Sequence, residues 1–541
     1  MAPHAAYHWT RIGLVSAMVA LAACGDIDSG PAPLPVPPEI ASVMHKPPYS
    51  NATWALQVVD LDSGNVIYSL NAATPTLIAS VRKLFSVAMA LNQLGPDHRF
   101  VTPVYRQGAV DASGTLNGDL ILVASGDLTM GGRTNPDGSL AISNFDHNEA
   151  NALQNAVLTT PDTLAGYNSL AAQIAAAGIK KVTGEVVIDD RLFQPFEFRQ
   201  EFDAKPIFVN DDVVDVIVNP GNAGGAASVD WRPKSAAFGV QSTLQMAAAN
   251  TSLELDLTPE LPTCIGAAGC TGTVSGDLPA GFVPPLTNQY PLIRTFRITN
   301  PSNYARTVLI EALERAGVTV AAAPLESNPT QLLPAPGSYA ANAQVAQLVS
   351  QPYADYAKLI QKVSYNLGAD TSLMLFGLAA NGSTTMAGAL AAEQNVLSTQ
   401  FQIAADQLHF IDGSGGGDTT GTPQAVTALL AGMSKRPTYS AYLDALPVLG
   451  VDGSLAFVTD FTADPTLAGA KGQVHAKTGT FVSPSPLTLE SQALAGYLTS
   501  KSGRHLVFMM AVANVPITGI NDVLPVFQDE GTIAALLWKL Q

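Results

Sequence analysis

The sequence predicts an α+β fold, an antiparallel sheet with helices, split by large inserted strand-rich domains. Three stretches predict it. A hairpin pattern at residues 54–70 runs directly into a buried helix, and a series of helices from residue 345 leads into three strands and a terminal helix. Between these flanks, Phe193 to Thr299 shows short strand signals broken by glycine and proline, with no element of chemistry. The hairpin and the late strands are each too small to stand alone, so they are expected to complete one sheet.

In chain order, residues 12–23 are apolar, follow Arg11 and are too short to span a bilayer comfortably. Leu21-Ala22-Ala23-Cys24 is similar to the lipobox of bacterial lipoproteins, which implies removal of residues 1–23 as a signal peptide and a lipid on Cys24. The bland alternative is an ordinary signal peptide with an incidental cysteine. Residues 24–45, with the proline-rich run Pro31 to Pro38, are expected to be a tether. Some twenty residues at about 3.1 Å each would hold the first domain up to about 60 Å from a membrane.

Residues 46–105 are expected to form the first part of the split unit. Leu56, Val58 and Asp60 alternate with Gln57 and Val59, and Asp62-Ser63-Gly64-Asn65 supplies the turn back through Val66 to Leu70. Leu84, Val87, Leu91 and Leu94 then recur at helical spacing until Gly95-Pro96. The insertion is placed at residues 106–339: strand-rich sequence to Ala124, a helix over Tyr167 to Gly178, a strand over Val182 to Asp189, a helix over Ser302 to Gly317, and a proline-punctuated return. Residues 340–541 form the second part. Helices are expected over Val345 to Asn366, Leu373 to Ala380, Met386 to Phe401 and Pro423 to Met433, the last opened by Thr422 as cap. Strands follow at Gln473 to Phe481, Ala493 to Thr499 and His505 to Ala513, then a helix from Gly531.

With 47% hydrophobic and 13% charged residues in 541, the chain is globular in composition. A net charge of −17 argues against nucleic acid as a partner, because phosphate binding needs basic surface. Besides Cys24 there are only Cys264 and Cys270. With no histidine or second pair nearby, an exported chain is expected to join them in a local disulfide, worth about 2 to 3 kcal/mol, rather than to hold zinc. No metal or organic cofactor is expected.

Chemistry points to Ile78-Ala79-Ser80-Val81-Arg82-Lys83, where an amine lies one helical turn from a hydroxyl. A serine needs a base to become a nucleophile, and lysine can be that base when its surroundings keep it neutral. From a free pKa near 10.4, neutrality at pH 7 costs about 4 to 5 kcal/mol, which burial and nearby positive charge must supply. Alone, the motif is no more than a helix start. Ser364-Tyr365-Asn366 at a helix end and Lys477-Thr478-Gly479-Thr480 in a strand are similarly bland singly; Gly479 would let another backbone approach. The order Ser-x-x-Lys, Ser-x-Asn, Lys-Thr-Gly, on helix start, interhelical loop and strand, is far more specific.

These motifs resemble those of penicillin-binding proteins and serine β-lactamases. With the long interval between Ser80 and Ser364, the chain resembles the D-alanyl-D-alanine carboxypeptidase/endopeptidase family of class C low-molecular-mass penicillin-binding proteins. Further stretches carry the resemblance: Ser125-Gly126-Asp127, Asp412-Gly413-Ser414-Gly415 and Leu446 to Leu455. Tyr365 and Gly416-Gly417 depart from the family pattern. The resemblance implies a split transpeptidase-like domain and an acyl-enzyme mechanism on peptidoglycan stem peptides. Ser80 would be the nucleophile, Lys83 its base and Ser364 a proton relay; Asn366 and Thr478 would bind substrate. Lys477 would add positive charge that keeps Lys83 neutral. Backbone N–H groups of Ser80 and Thr480, beside Gly479, would form the oxyanion hole. β-Lactams would be covalent inhibitors, the location periplasmic, and membrane contact through the lipid alone. A β-lactamase-like or esterase hydrolase, and an antibiotic-sensing lipoprotein that barely turns over, are the rival readings.

Overall fold

The computed structural model describes residues 32–266 and 269–541. The apolar leader and Cys24 lie outside these residues. A five-stranded antiparallel sheet runs in the order Val66–Leu70, Thr53–Asp60, His505–Pro516, Leu487–Thr499, Val474–Pro484. Thr53–Asp60 pairs along its whole length with the far end of the chain, Thr53 opposite Ala513 and Asp60 opposite Leu506. The hairpin and the late strands therefore form one sheet.

Both faces of that sheet are covered. Leu494, Leu498, Phe508, Met510 and Val512 point into a core shared with Ile533 and Leu537 of the terminal helix Val523–Leu540. Alternate residues Ala493, Ala495, Tyr497, Val507, Met509 and Ala511 face a second core, with Leu84, Val87 and Leu91 of the helix Lys83–Leu94 and Val426, Leu429 and Leu430 of Pro423–Met433. Burial on two sides explains the nearly continuous apolar runs in these strands. Each buried large side chain contributes about 1.5 to 3 kcal/mol.

Three expectations change. First, the tether does not extend to residue 45: Leu34 donates its backbone N–H to Ile67 O at 2.8 Å, and Pro38–Met44 is a helix burying Ile40, Val43 and Met44. Pro38, at the first helical position, starts this helix instead of breaking it. Second, the sheet of the insertion is wider than 106–339. It contains Thr319–Val320, Lys181–Val182, Thr115–Val123, Arg99–Val110 and Gln344–Pro352, with Val186–Asp189 paired to Thr115–Val123. Third, residues from Val345 are therefore a strand, not the start of a helix, and the helix begins at Tyr353 after Pro352. Only Ala346 and Ser350 are buried in this strand, four residues apart, while Val349 is exposed, so the sequence imitates a helical period.

The insertion is not free-standing. Phe193, Phe196, Phe198, Phe202 and Phe208 enter the same core as Tyr353 and Tyr356 of the helical part. Cys264 and Cys270 are disulfide-bonded. Among the described residues, no single helix is long and apolar enough to cross a membrane.

Candidate active site

Ser80 lies in a tight 3-10 turn, Ala79–Arg82, that feeds directly into the helix starting at Lys83. The preceding Ala79 has φ +43°, a left-handed conformation costing about 1 to 3 kcal/mol for a residue with a side chain. Three contacts hold the turn there. Gly479 presses its strand so closely that a Cβ would lie 2.3 Å from Ile78 O and 3.1 Å from Ser80 N, and Gly415, at φ +99°, would put one 2.0 Å from Ala79 O. Beneath, the Arg82 guanidinium donates to both oxygens of Glu393 at 2.9 and 2.5 Å and to Asp412 O at 2.8 Å. Both members of this ion pair are fully buried.

Lys83 is buried and its amine faces three acceptors: Ser80 Oγ at 2.8 Å, Asn366 Oδ1 at 2.6 Å and Ser414 O at 2.8 Å. Burial, with the positive charge of Arg199 helping, pushes its pKa down to about 7, against the attraction of Asp370, Glu149 and Asp412. Ser414 is aimed by its own turn, in which the Asp412 carboxylate accepts the N–H groups of Ser414, Gly415 and Gly416 at 3.0, 2.7 and 2.9 Å. Gly416 thus completes the turn that departs from the family pattern.

Ser364 caps the helix Tyr353–Val363 in a left-handed conformation, φ +62°, and Asn366 begins the next helix, Asn366–Asn381. This break turns both side chains toward the cleft. Lys477 donates to Ser364 Oγ at 3.0 Å and to Thr478 O at 2.8 Å, while Thr478 and Ser454 hydroxyls meet at 2.8 Å. Burial, then the charge of Lys83, holds the Lys477 amine well below the ordinary lysine range. Arg199 adds a positive charge acting on Lys83 that the sequence reading did not include.

All the motif residues meet in one cleft of about 330 Å³, lined by Ser80, Ser364, Asn366, Thr478 and Thr480, with Gly479 behind them. Its far wall is apolar, including Phe457, Leu524 and Phe527. Tyr365 turns away into the helical core. Ser454, Glu149 and Arg199 are among the lining residues that were not foreseen. Ser454 stands in a stretch that carries the resemblance but no obvious chemistry. Glu149 and Arg199 come from the insertion, where the stretch from Phe193 was read as free of chemistry; only the aromatic periodicity around Arg199 hinted that this segment docks inward. Elsewhere in the insertion, Asp146, His147 and Asp211 cluster closely enough to suggest a metal. Arg133 bonds both aspartates and His147 bonds Asp215, so the chain's own cations fill that place.

The model of the D-Ala-D-Ala carboxypeptidase 3 (S13) family matches residues 37–523. A D-alanyl-D-alanine carboxypeptidase from Actinomadura sp. is 26% identical over 488 residues, covering 86% of this chain and 78% of its own. The D-alanyl-D-alanine carboxypeptidase DacB of Haemophilus influenzae is 22% identical over 477 residues, 84% of each chain. The crystal structure of penicillin binding protein 4 (dacB) from Haemophilus influenzae shares the fold, with a TM-score of 0.67 at 19% identity over 92% of this chain and 99% of that one. The Ser80 turn, the Lys477 strand and the insertion between them thus lie within a single family match spanning most of the sequence, and the chain belongs to the D-Ala-D-Ala carboxypeptidase 3 (S13) family of enzymes.

Proposed function

We propose that this enzyme hydrolyses the D-Ala-D-Ala bond of peptidoglycan stem peptides through an acyl-enzyme on Ser80. The observation that carries the reading is the Lys83 amine, 2.8 Å from Ser80 Oγ with a pKa near 7. Lys83 takes the hydroxyl proton as Ser80 attacks the carbonyl between the two D-alanines. The N–H groups of Ser80 and Thr480 stabilise the oxyanion, each donor worth about 3 to 4 kcal/mol. Ser364, bonded to Lys477, relays to the departing D-alanine amine the proton that Lys83 took from Ser80, which leaves Lys83 neutral again for deacylation. Thr478 receives the D-alanine carboxylate, with the Lys477 amine as a neighbouring hydrogen-bond donor. Asn366 holds the peptide amide, and water then releases the acyl group.

The same chemistry cleaves a D-alanyl cross-link, which makes endopeptidase activity part of the proposal. β-Lactams acylate Ser80 in place of the substrate; penicillin binding protein 4 from Haemophilus influenzae has been crystallised complexed with a β-lactam. A lipid on Cys24 would hold the enzyme in the periplasm.

Incubation with a pentapeptide ending in D-Ala-D-Ala tests the reading. Release of one D-alanine per peptide, lost in Ser80→Ala, is expected. Stoichiometric penicillin labelling without D-alanine release from any stem peptide would replace the hydrolase by an antibiotic sensor.

A further inference from the structure

Glu149 and Arg199 belong to the insertion, yet both line the cleft that holds Ser80. Glu149 ends a short 3-10 turn, His147–Glu149, whose cap Asp146 accepts the N–H of Asn148. Its Oε1 accepts from Asn366 Nδ2 and lies 3.4 Å from Arg199 Nη1. Asn366 Oδ1 in turn accepts from Lys83 at 2.6 Å. The result is a continuous path, Arg199 to Glu149 to Asn366 to Lys83. Arg199 follows the strand Phe196–Phe198 at φ +52°, and Gln200 follows at +61°, a strained pair of residues that turns the chain at this point. Phe198 and Phe202, on either side, are buried in the helical core and fix the hairpin.

We propose that Glu149 and Arg199 are positioning residues of the catalytic centre: Glu149 fixes which way the Asn366 amide faces, and Arg199 sets the charge that Lys83 experiences. The first half follows from donor and acceptor inventory. A primary amide has one end that donates and one that accepts, whereas a carboxylate only accepts. Glu149 therefore binds the NH2 end of Asn366, which leaves the carbonyl end for the Lys83 amine. Reversed, the amide would face donor to donor at Lys83. The second half follows from charge. Arg199 is cationic at every working pH. The other groups around Lys83 are Asp370 from the helix Asn366–Asn381, Asp412 from the turn beneath Ser80, Glu149 from the insertion, and Lys477 from the edge strand. The three carboxyl groups favour the ammonium form, and Arg199 is the arginine that opposes them. Its side chain is 37% exposed, so solvent screens part of that effect.

The proposal rests on Lys83 acting as base, and the test separates the two ideas. The second-order rate of Ser80 acylation by a fluorescent penicillin is measured from pH 5 to 10 for wild type, Arg199→Ala and Glu149→Gln, with melting temperatures alongside. Removing Arg199 makes Lys83 harder to deprotonate, so the acid limb moves up by about half to one pH unit. The rate at pH 6 then falls about three- to tenfold, while the alkaline plateau is kept. Removing the charge of Glu149 moves the limb the other way. Because a glutamine can also donate, Asn366 is no longer held in one orientation, and the plateau drops about tenfold. Opposite shifts are what a purely structural role cannot produce. A wild-type limb near pH 7 that neither variant moves overturns this proposal and leaves Lys83 as the base. A wild type with no acid limb removes Lys83 as the base and the proposal with it.

Discussion

Replacing Gly479 by alanine adds a single methyl group at the closest approach of the Lys477 strand to the Ser80 turn. The new Cβ would lie 2.3 Å from Ile78 O, 3.0 Å from Val81 N and 3.1 Å from Ser80 N. An ordinary carbon contact needs about 3.5 Å, so strand and turn must separate by roughly 1 Å. Neither yields easily. Gly479 pairs with Ala493 of the neighbouring strand, and Arg82 anchors the turn to Glu393 and Asp412. The separation widens the gap between the Ser80 and Thr480 N–H groups, where the proposed mechanism puts the oxyanion. A 1 Å misplacement costs about a hundredfold in rate, or about 2.7 kcal/mol of barrier. The assay is the second-order rate of acylation by a fluorescent penicillin, with circular dichroism and thermal melting to show that Gly479→Ala is folded. A folded variant that acylates within threefold of wild type would refute the reasoning, since the glycine would then not be what lets strand and turn meet.

Other outcomes follow from the same geometry. Lys83 must be neutral to accept a proton and has a pKa near 7, so acylation of the wild type should rise with pH, reach half its plateau at about pH 7 and stay high above it; a flat profile between pH 5 and 9 contradicts this. Glu393→Ala leaves the buried Arg82 charge without its partner and should destabilise the fold by about 3 to 5 kcal/mol in urea unfolding, where an unchanged midpoint would show that the pair contributes nothing. Cys24→Ser should abolish lipid attachment and release the enzyme from membranes, checked by mass and fractionation; unchanged mass and membrane partition would remove the anchor from the account.

How legible these features were depended on whether their signals were local. The helix Pro423–Met433 was readable to the residue because Thr422 caps it, accepting from Ala425 N at 3.1 Å, and Pro423 starts it. Ser80, Lys83, Ser364, Asn366 and Lys477 were legible because each stands in a short motif on a definite element. The approach of Gly479 to the Ser80 turn could be anticipated, since a glycine inside a strand often marks a close neighbour. Arg199 and Glu149 carried no such local signal. Their places depend on phenylalanines docking into a core built from distant sequence, and one arginine in a strand-rich insertion looks like any other. Pro38–Met44 was hidden by its composition: the prolines suggested a tether, while Ile40, Val43 and Met44 at helical spacing were the better guide.

The central claim is that Ser80 is the nucleophile and Lys83 its base. Mapping the site of penicillin attachment by peptide mass spectrometry, in wild type, Ser80→Ala, Lys83→Ala and the double variant, tests it most directly. One adduct per molecule on the Ser80 peptide is expected. Each single variant should lose most of the labelling rate and the double variant should be little worse, because groups acting as one unit are not additive. An adduct on another residue, or labelling that persists in Ser80→Ala, would contradict the account.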